Sequence, residues 1–187
     1  MHILVVTGAS GAGKTAAVQA LAARNLPGVR CFYFDSIGVP SADVMEREYG
    51  GGDGWQAWAT KQWLTRIGAL AAPPDGVRVA VLDGQTRPSL VAGLTGSVPH
   101  CDVGVVLLDC SADVRNARLR GPRQQPELAT GRMDDWATYL RGEAAALQVP
   151  VIDTTRLAPE QVADRLAHVI RHYGDGLPNA PADEGGW

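Results

Sequence analysis

Gly8-Ala9-Ser10-Gly11-Ala12-Gly13-Lys14-Thr15 has the spacing G-x-x-x-x-G-K-[ST], and it stands between an apolar run, His2 to Thr7, and a helix-period segment that begins at Lys14. Few folds accept that arrangement. A strand feeding a glycine-rich turn that opens a helix aims backbone N–H groups and a helix N-terminus at one point, which is the geometry that binds a phosphate. In such a loop Gly8, Ser10, Gly11, Ala12 and Gly13 wrap nucleotide phosphates, Lys14 reaches the β/γ oxygens and the Thr15 hydroxyl ligates Mg²⁺. Lys14 and Lys61 are the only lysines in the chain, so composition alone does not put a lysine at this position.

Five strand-length apolar runs alternate with segments of helical period, the pattern of repeated β-α units and a mostly parallel sheet covered on both faces. The expected strands are His2 to Thr7, Val29 to Asp35, Val77 to Leu82, Asp102 to Asp109 and Val149 to Asp153. Helices are expected at Lys14 to Asn25, Ser41 to Glu48, Trp55 to Ala71, Pro88 to Leu94, Ala112 to Arg120, Met133 to Leu147 and Pro159 to Tyr173. Ligands of open parallel sheets bind beyond the carboxyl ends of the strands, so Thr7, Asp35, Asp83, Asp109 and Asp153 fall on one functional edge. The glycine run Gly50 to Gly54 and the loop Gly121 to Arg132 read as mobile, and residues 174–187 as a loosely attached tail after a domain spanning 1–173.

With 187 residues, 45% of them apolar, the chain suits one globular domain. A net charge of -3 without a basic stripe disfavours nucleic acid as a bulk partner. No apolar run has the length of a membrane span, and the expected location is cytoplasmic. Cys31, Cys101 and Cys110 are odd in number and widely spaced, so they read as reduced, buried thiols and not as a disulfide or zinc framework.

Asp83-Gly84-Gln85-Thr86-Arg87 closes the third strand, and here the chain resembles the P-loop small-molecule kinases, nucleoside-monophosphate kinases such as adenylate kinase among them. The resemblance implies a three-layer α/β sandwich on a five-stranded parallel sheet of order 2-3-1-4-5, with a short lid near 121–132 and acceptor-binding helices near 41–71. It implies ATP and Mg²⁺, with Asp83 joining Thr15 at the metal and Arg87 facing an anion of the acceptor. Asp35-Ser36 is similar to the strand end of shikimate kinase, chloramphenicol phosphotransferase and the zeta-type toxins, where an aspartate serves a hydroxyl acceptor. Asp35 is thus the candidate general base and acceptor ligand. Adenylate kinase places an arginine after this strand, whereas the stretch from Asp35 to Ser41 holds none. That departure favours a hydroxyl acceptor over a phosphate acceptor.

Arg115, Arg118, Arg120 and Arg123 gather where the resembling kinases carry a lid that closes arginines over the donor phosphates and excludes water. Arg118 and Arg123 are the candidate donor contacts, with Arg132 and Arg141 behind them and Arg141 assigned to the acceptor. Trp55, Ala59 and Trp63 share a helical face beside Trp58, which reads either as core or as a wall of the acceptor site. Thr154, following Asp153, falls where the donor adenine passes in the resembling enzymes. Three readings compete with a hydroxyl-directed kinase: a nucleoside-monophosphate kinase, a P-loop NTPase switch, and a kinase of nucleic-acid ends.

Overall fold

The computed structural model describes residues 1–71 and 76–174. Five parallel strands form one sheet in the order β2-β3-β1-β4-β5, as the sequence predicts. They are β1 (His2–Thr7), β2 (Val29–Tyr33), β3 (Val79–Asp83), β4 (Asp102–Asp109) and β5 (Val151–Asp153). The helices are α1 (Lys14–Ala22), α2 (Ala42–Tyr49), α3 (Gly52–Gly68), α4 (Pro88–Leu94), α5 (Ala112–Arg120), α6 (Gly131–Ala146) and α7 (Pro159–Gly174). Residues 175–187, read as the tail, lie outside the described residues. None of the described helices is long and apolar enough to cross a membrane.

Alternation along the strands divides the core in two. Leu4 and Val6 of β1 face one side with Val81, Val106 and Leu108, where Val18 and Leu21 of α1 meet Leu166 and Ile170 of α7. Ile3 and Val5 face the other with Ala80 and Leu82, under Trp63, Leu64 and Ile67 of α3 and Val91 of α4. Register then sets the site: Val6 and Tyr33 both pair with Asp83, Thr7 pairs with Leu107, and Asp109 with Asp153. The polar strand ends therefore lie along one edge of the sheet.

The bounds of α1, α2, α3, α6, α7, β3 and β5 shift by one to three residues from expectation, and three changes bear on the site. The second strand stops at Tyr33, because residues Phe34–Ile37 turn into a 3-10 helix in which Ser36 Oγ donates to Tyr33 O at 2.7 Å. The glycine run is an ordered joint: Gly50 caps α2 in the left-handed conformation, α3 begins at Gly52, and a Cβ on Gly54 would stand 1.9 Å from the Tyr49 carbonyl oxygen. The segment expected as a loop from Gly121 to Arg132 is shortened by a 3-10 turn, Pro126–Leu128, and by α6 starting at Gly131. Of the three cysteines expected as buried thiols, Cys110 is buried and Cys31 and Cys101 are half-buried.

Candidate functional site

The phosphate loop fills the gap between β1 and α1, and its backbone depends on glycine. Gly11 and Gly13 have φ of 83° and 94°, and a Cβ on Gly8 would lie 2.2 Å from the Leu108 carbonyl oxygen of the neighbouring strand. Ser10 Oγ donates to Gln85 Oε1 at 2.9 Å, which fastens the loop to the turn after β3. Lys14 is 6% exposed and lies back along its own loop, its Nζ donating to Ala9 O at 3.1 Å. Burial lowers its pKa to about 8, although Asp83 and Asp35 pull upward.

Thr15 Oγ1 donates to Asp83 Oδ2 at 2.6 Å. This bond joins the first helical turn after the loop to the carboxyl end of β3, bringing together the two oxygen ligands expected from the sequence. Burial pushes the Asp83 carboxyl above its ordinary range, with the Lys14 charge and the Thr15 hydrogen bond opposing. Asp35, exposed on its 3-10 turn, and Arg123, exposed beyond α5, both act electrostatically on Lys14 and Asp83. Four of the expected groups, Lys14, Asp83, Asp35 and Arg123, thus share one field. Among the described residues, no cluster of three His, Cys, Asp or Glu side chains could hold a metal. Thr15 and Asp83 are a two-oxygen set, which fits Mg²⁺ because that ion keeps several waters and completes its shell with substrate phosphate oxygens.

Gln85-Thr86-Arg87 is fixed from both sides. Thr7 Oγ1 donates to Thr86 O and accepts from Thr86 N, while Thr60 and Thr86 hydroxyls meet at 3.0 Å. From α3, Gln56 Nε2 donates to Gln85 O at 2.8 Å and Gln56 Oε1 accepts from Arg87 Nε at 3.0 Å. Arg87 also pairs with Asp53. The motif is legible in the sequence and its supports are not, because nothing in the spacing links Asp53, Gln56 or Thr60 to a turn 26 or more residues on.

The remaining candidates lie apart from this centre or are already engaged. Arg118 donates to Thr154 Oγ1 and Thr154 O at 3.0 and 2.7 Å and reaches Gly11 O at 3.4 Å, so it braces the back of the phosphate loop against the end of β5. Thr154 is buried and donates to Ala12 O at 2.8 Å. Arg123 donates to Gln125 Oε1, and Arg120 and Arg132 are exposed. Arg141 is paired with Asp109, which also faces buried Arg115, and Arg115 Nη2 donates to Asp134 at 2.6 Å. Trp55 packs edge-on against Phe34 at 5.7 Å, and Trp63 Nε1 donates to Phe34 O at 3.0 Å, so both belong to the core. Trp58 is 40% exposed and leans on Tyr49.

Neither a protein-family model nor a curated protein sequence matches the chain. Solved structures do. The tunicamycin resistance protein of Deinococcus radiodurans superposes with a TM-score of 0.62 at 23% identity, over 97% of this chain and 99% of that one. A shikimate kinase from Acinetobacter baumannii in complex with shikimate gives 0.61 at 17%, over 95% and 96%. A gluconokinase from Sinorhizobium meliloti gives 0.59 at 21%, over 94% and 98%. Coverage of nearly the full length on both sides, together with the strand order and the phosphate loop between β1 and α1, gives this chain the fold of the P-loop small-molecule kinases.

Proposed function

We propose that the protein is an ATP- and Mg²⁺-dependent phosphotransferase that moves the γ-phosphoryl group of ATP to a hydroxyl of a small molecule. The observation that carries this reading is the 2.6 Å bond between Thr15 and Asp83, set beside Lys14 at the carboxyl edge of the sheet. A phosphate loop with a hydroxyl and a carboxylate in contact is the equipment of nucleoside-triphosphate chemistry, and Asp35 in the same field supplies a group for an acceptor proton.

In this mechanism the loop from Gly8 to Thr15 binds the donor phosphates, and Lys14 leaves Ala9 O for a β/γ oxygen. Mg²⁺ held by Thr15 and Asp83 would neutralise charge on the phosphate oxygens. Asp35 orients the acceptor hydroxyl and takes its proton as the new P–O bond forms, while the bond to the bridging β–γ oxygen breaks and ADP departs. Arg123 faces the transferring group, Arg118 holds the loop in shape, and closure of the segment after α5 excludes water. The stretch Asp35 to Ser41 lacks an arginine, which favours a hydroxyl acceptor over a phosphate. An ATP-dependent reaction of this kind fits the cytoplasm.

A mass-spectrometric screen of ATP·Mg²⁺ against nucleosides, nucleoside monophosphates, sugars and hydroxylated antibiotics tests the reading. A phosphorylated product is expected with the wild type and is lost in Lys14→Ala; Asp35→Ala is expected to bind ATP and fail to transfer. Free phosphate released with no phosphorylated product would overturn it in favour of an NTPase.

A further inference from the structure

Arg87 is the guanidinium that the resemblance to the P-loop kinases sets against an anion of the acceptor, yet in the folded chain it is already matched. Its Nη1 and Nη2 meet the two carboxylate oxygens of Asp53 at 3.2 and 3.0 Å, and its Nε donates to Gln56 Oε1 at 3.0 Å. Both partners come from the start of α3, three residues apart and hence on one helical face. The Arg87 side chain is 21% exposed and that of Asp53 85%, so the carboxylate approaches from the solvent side, where an acceptor anion would also arrive. Gln56 cannot drift, because its Nε2 is held by Gln85 O. Arg87 further acts electrostatically on Tyr139 and Glu143 of α6, and Glu143 is fixed by Ser89 at the start of α4.

We propose that Asp53 determines acceptor specificity: by holding Arg87 in a fork, it adapts the acceptor site to a neutral, hydroxyl-bearing molecule and rejects carboxylates and phosphates. This rests on the phosphotransferase reading for the identity of the acceptor site. A guanidinium has five N–H groups, of which three are spent on Asp53 and Gln56. The remaining two face the Tyr139 hydroxyl of α6, with which Arg87 already shares a hydrogen bond, so this end of the guanidinium meets a neutral hydroxyl oxygen with no change in the balance of charge. An anion gains a comparable fork only by displacing Asp53, and it would then share the site with the displaced carboxylate and with Glu143. Exclusion by like charge is a common device of specific sites.

Two measurements on the full chain test this separately. In the first, inorganic phosphate is titrated calorimetrically into wild type, Asp53→Asn, Arg87→Ala and the double variant, with a non-hydrolysable ATP analogue filling the phosphate loop. Asp53→Asn is expected to bind phosphate at least about tenfold more tightly than wild type, the worth of one charge-assisted contact, and the double variant to lose the gain. Equal affinity in wild type and Asp53→Asn, or a gain that survives Arg87→Ala, overturns the proposal. In the second, ATP·Mg²⁺ is offered with methyl glucoside or myo-inositol against glucuronate and glucose 6-phosphate. Preference for an anionic member by the wild type also overturns it. The transfer reading itself stands or falls on the wider acceptor screen above, whereas the phosphate titration, which needs no turnover, decides the role of Asp53 in either case.

Discussion

Lys14 carries a cost that its own loop does not recover. Buried at 6% exposure with its ammonium against one carbonyl, it has a pKa of about 8, where an unfolded lysine has 10.5. Between those values the unfolded chain binds a proton that the native chain has released, so the Lys14 contribution to stability rises with pH across that window. Below about pH 8 the native ammonium stays charged and the full penalty applies, roughly 3 kcal/mol on the scale of 1.36 kcal/mol per unit. Lys14→Met is therefore expected to abolish transfer while stabilising the ligand-free protein. The net gain is roughly 1–3 kcal/mol, because Asp83 loses its nearest cation. Urea titrations at pH 7 and at pH 10.5 check the sign: the advantage of Met should be present at the first and largely gone at the second. An equal advantage at both would mean that packing, and not the buried charge, sets it.

The joint between α2 and α3 shows what a backbone contact can decide. Gly54 lies so close to the Tyr49 carbonyl oxygen that a Cβ there would stand 1.9 Å away, and backbone cannot yield as a flexible side chain does. Gly54→Ala is expected to cost about 1–3 kcal/mol or more. It should displace Asp53 and Gln56 with the start of α3, and with them the acceptor side, while nucleotide affinity is kept because the phosphate loop belongs to β1 and α1. Urea unfolding and nucleotide titration, run together, separate the two effects. This joint also marks where sequence reading ends. The bounds of β1, β4, α4 and α5 agree with expectation, because apolar runs there stop at polar or capping residues such as Thr7, Asp109 and Ser111. Four glycines in five residues read as a loop, since composition carries no information on how closely Gly54 passes the Tyr49 carbonyl. The same limit hides Arg115: the sequence groups it with the arginines of the expected lid, whereas Asp109 and Asp134, brought in by β4 and α6, hold it in the interior. The phosphate loop and Asp83 were legible because each is a local pattern at the end of an apolar run.

A single sheet edge gathers the working groups from the first helical turn after β1, the end of β3, the turn after β2 and the segment after α5, so a bound nucleotide would connect parts of the chain more than a hundred residues apart. Ligand that binds only the native state adds stability by mass action, about 2.7 kcal/mol at a hundred times the dissociation constant. For a domain of this size ATP·Mg²⁺ is expected to raise the melting temperature by about 5–10 °C. The increment should divide by chemistry. Asp83→Asn preserves shape and the contact with Thr15 but removes the carboxylate, so the rise with ATP in EDTA should persist and the extra rise on adding Mg²⁺ should disappear. Lys14→Ala should weaken both parts, because Lys14 meets the phosphates whether or not the ion is present. A scanning-fluorimetry grid of wild type and both variants, with ATP, EDTA and Mg²⁺, reads every case in one experiment. A full Mg²⁺ increment in Asp83→Asn would remove the carboxylate from the metal site, and no response of the wild type to ATP would remove the nucleotide from the phosphate loop.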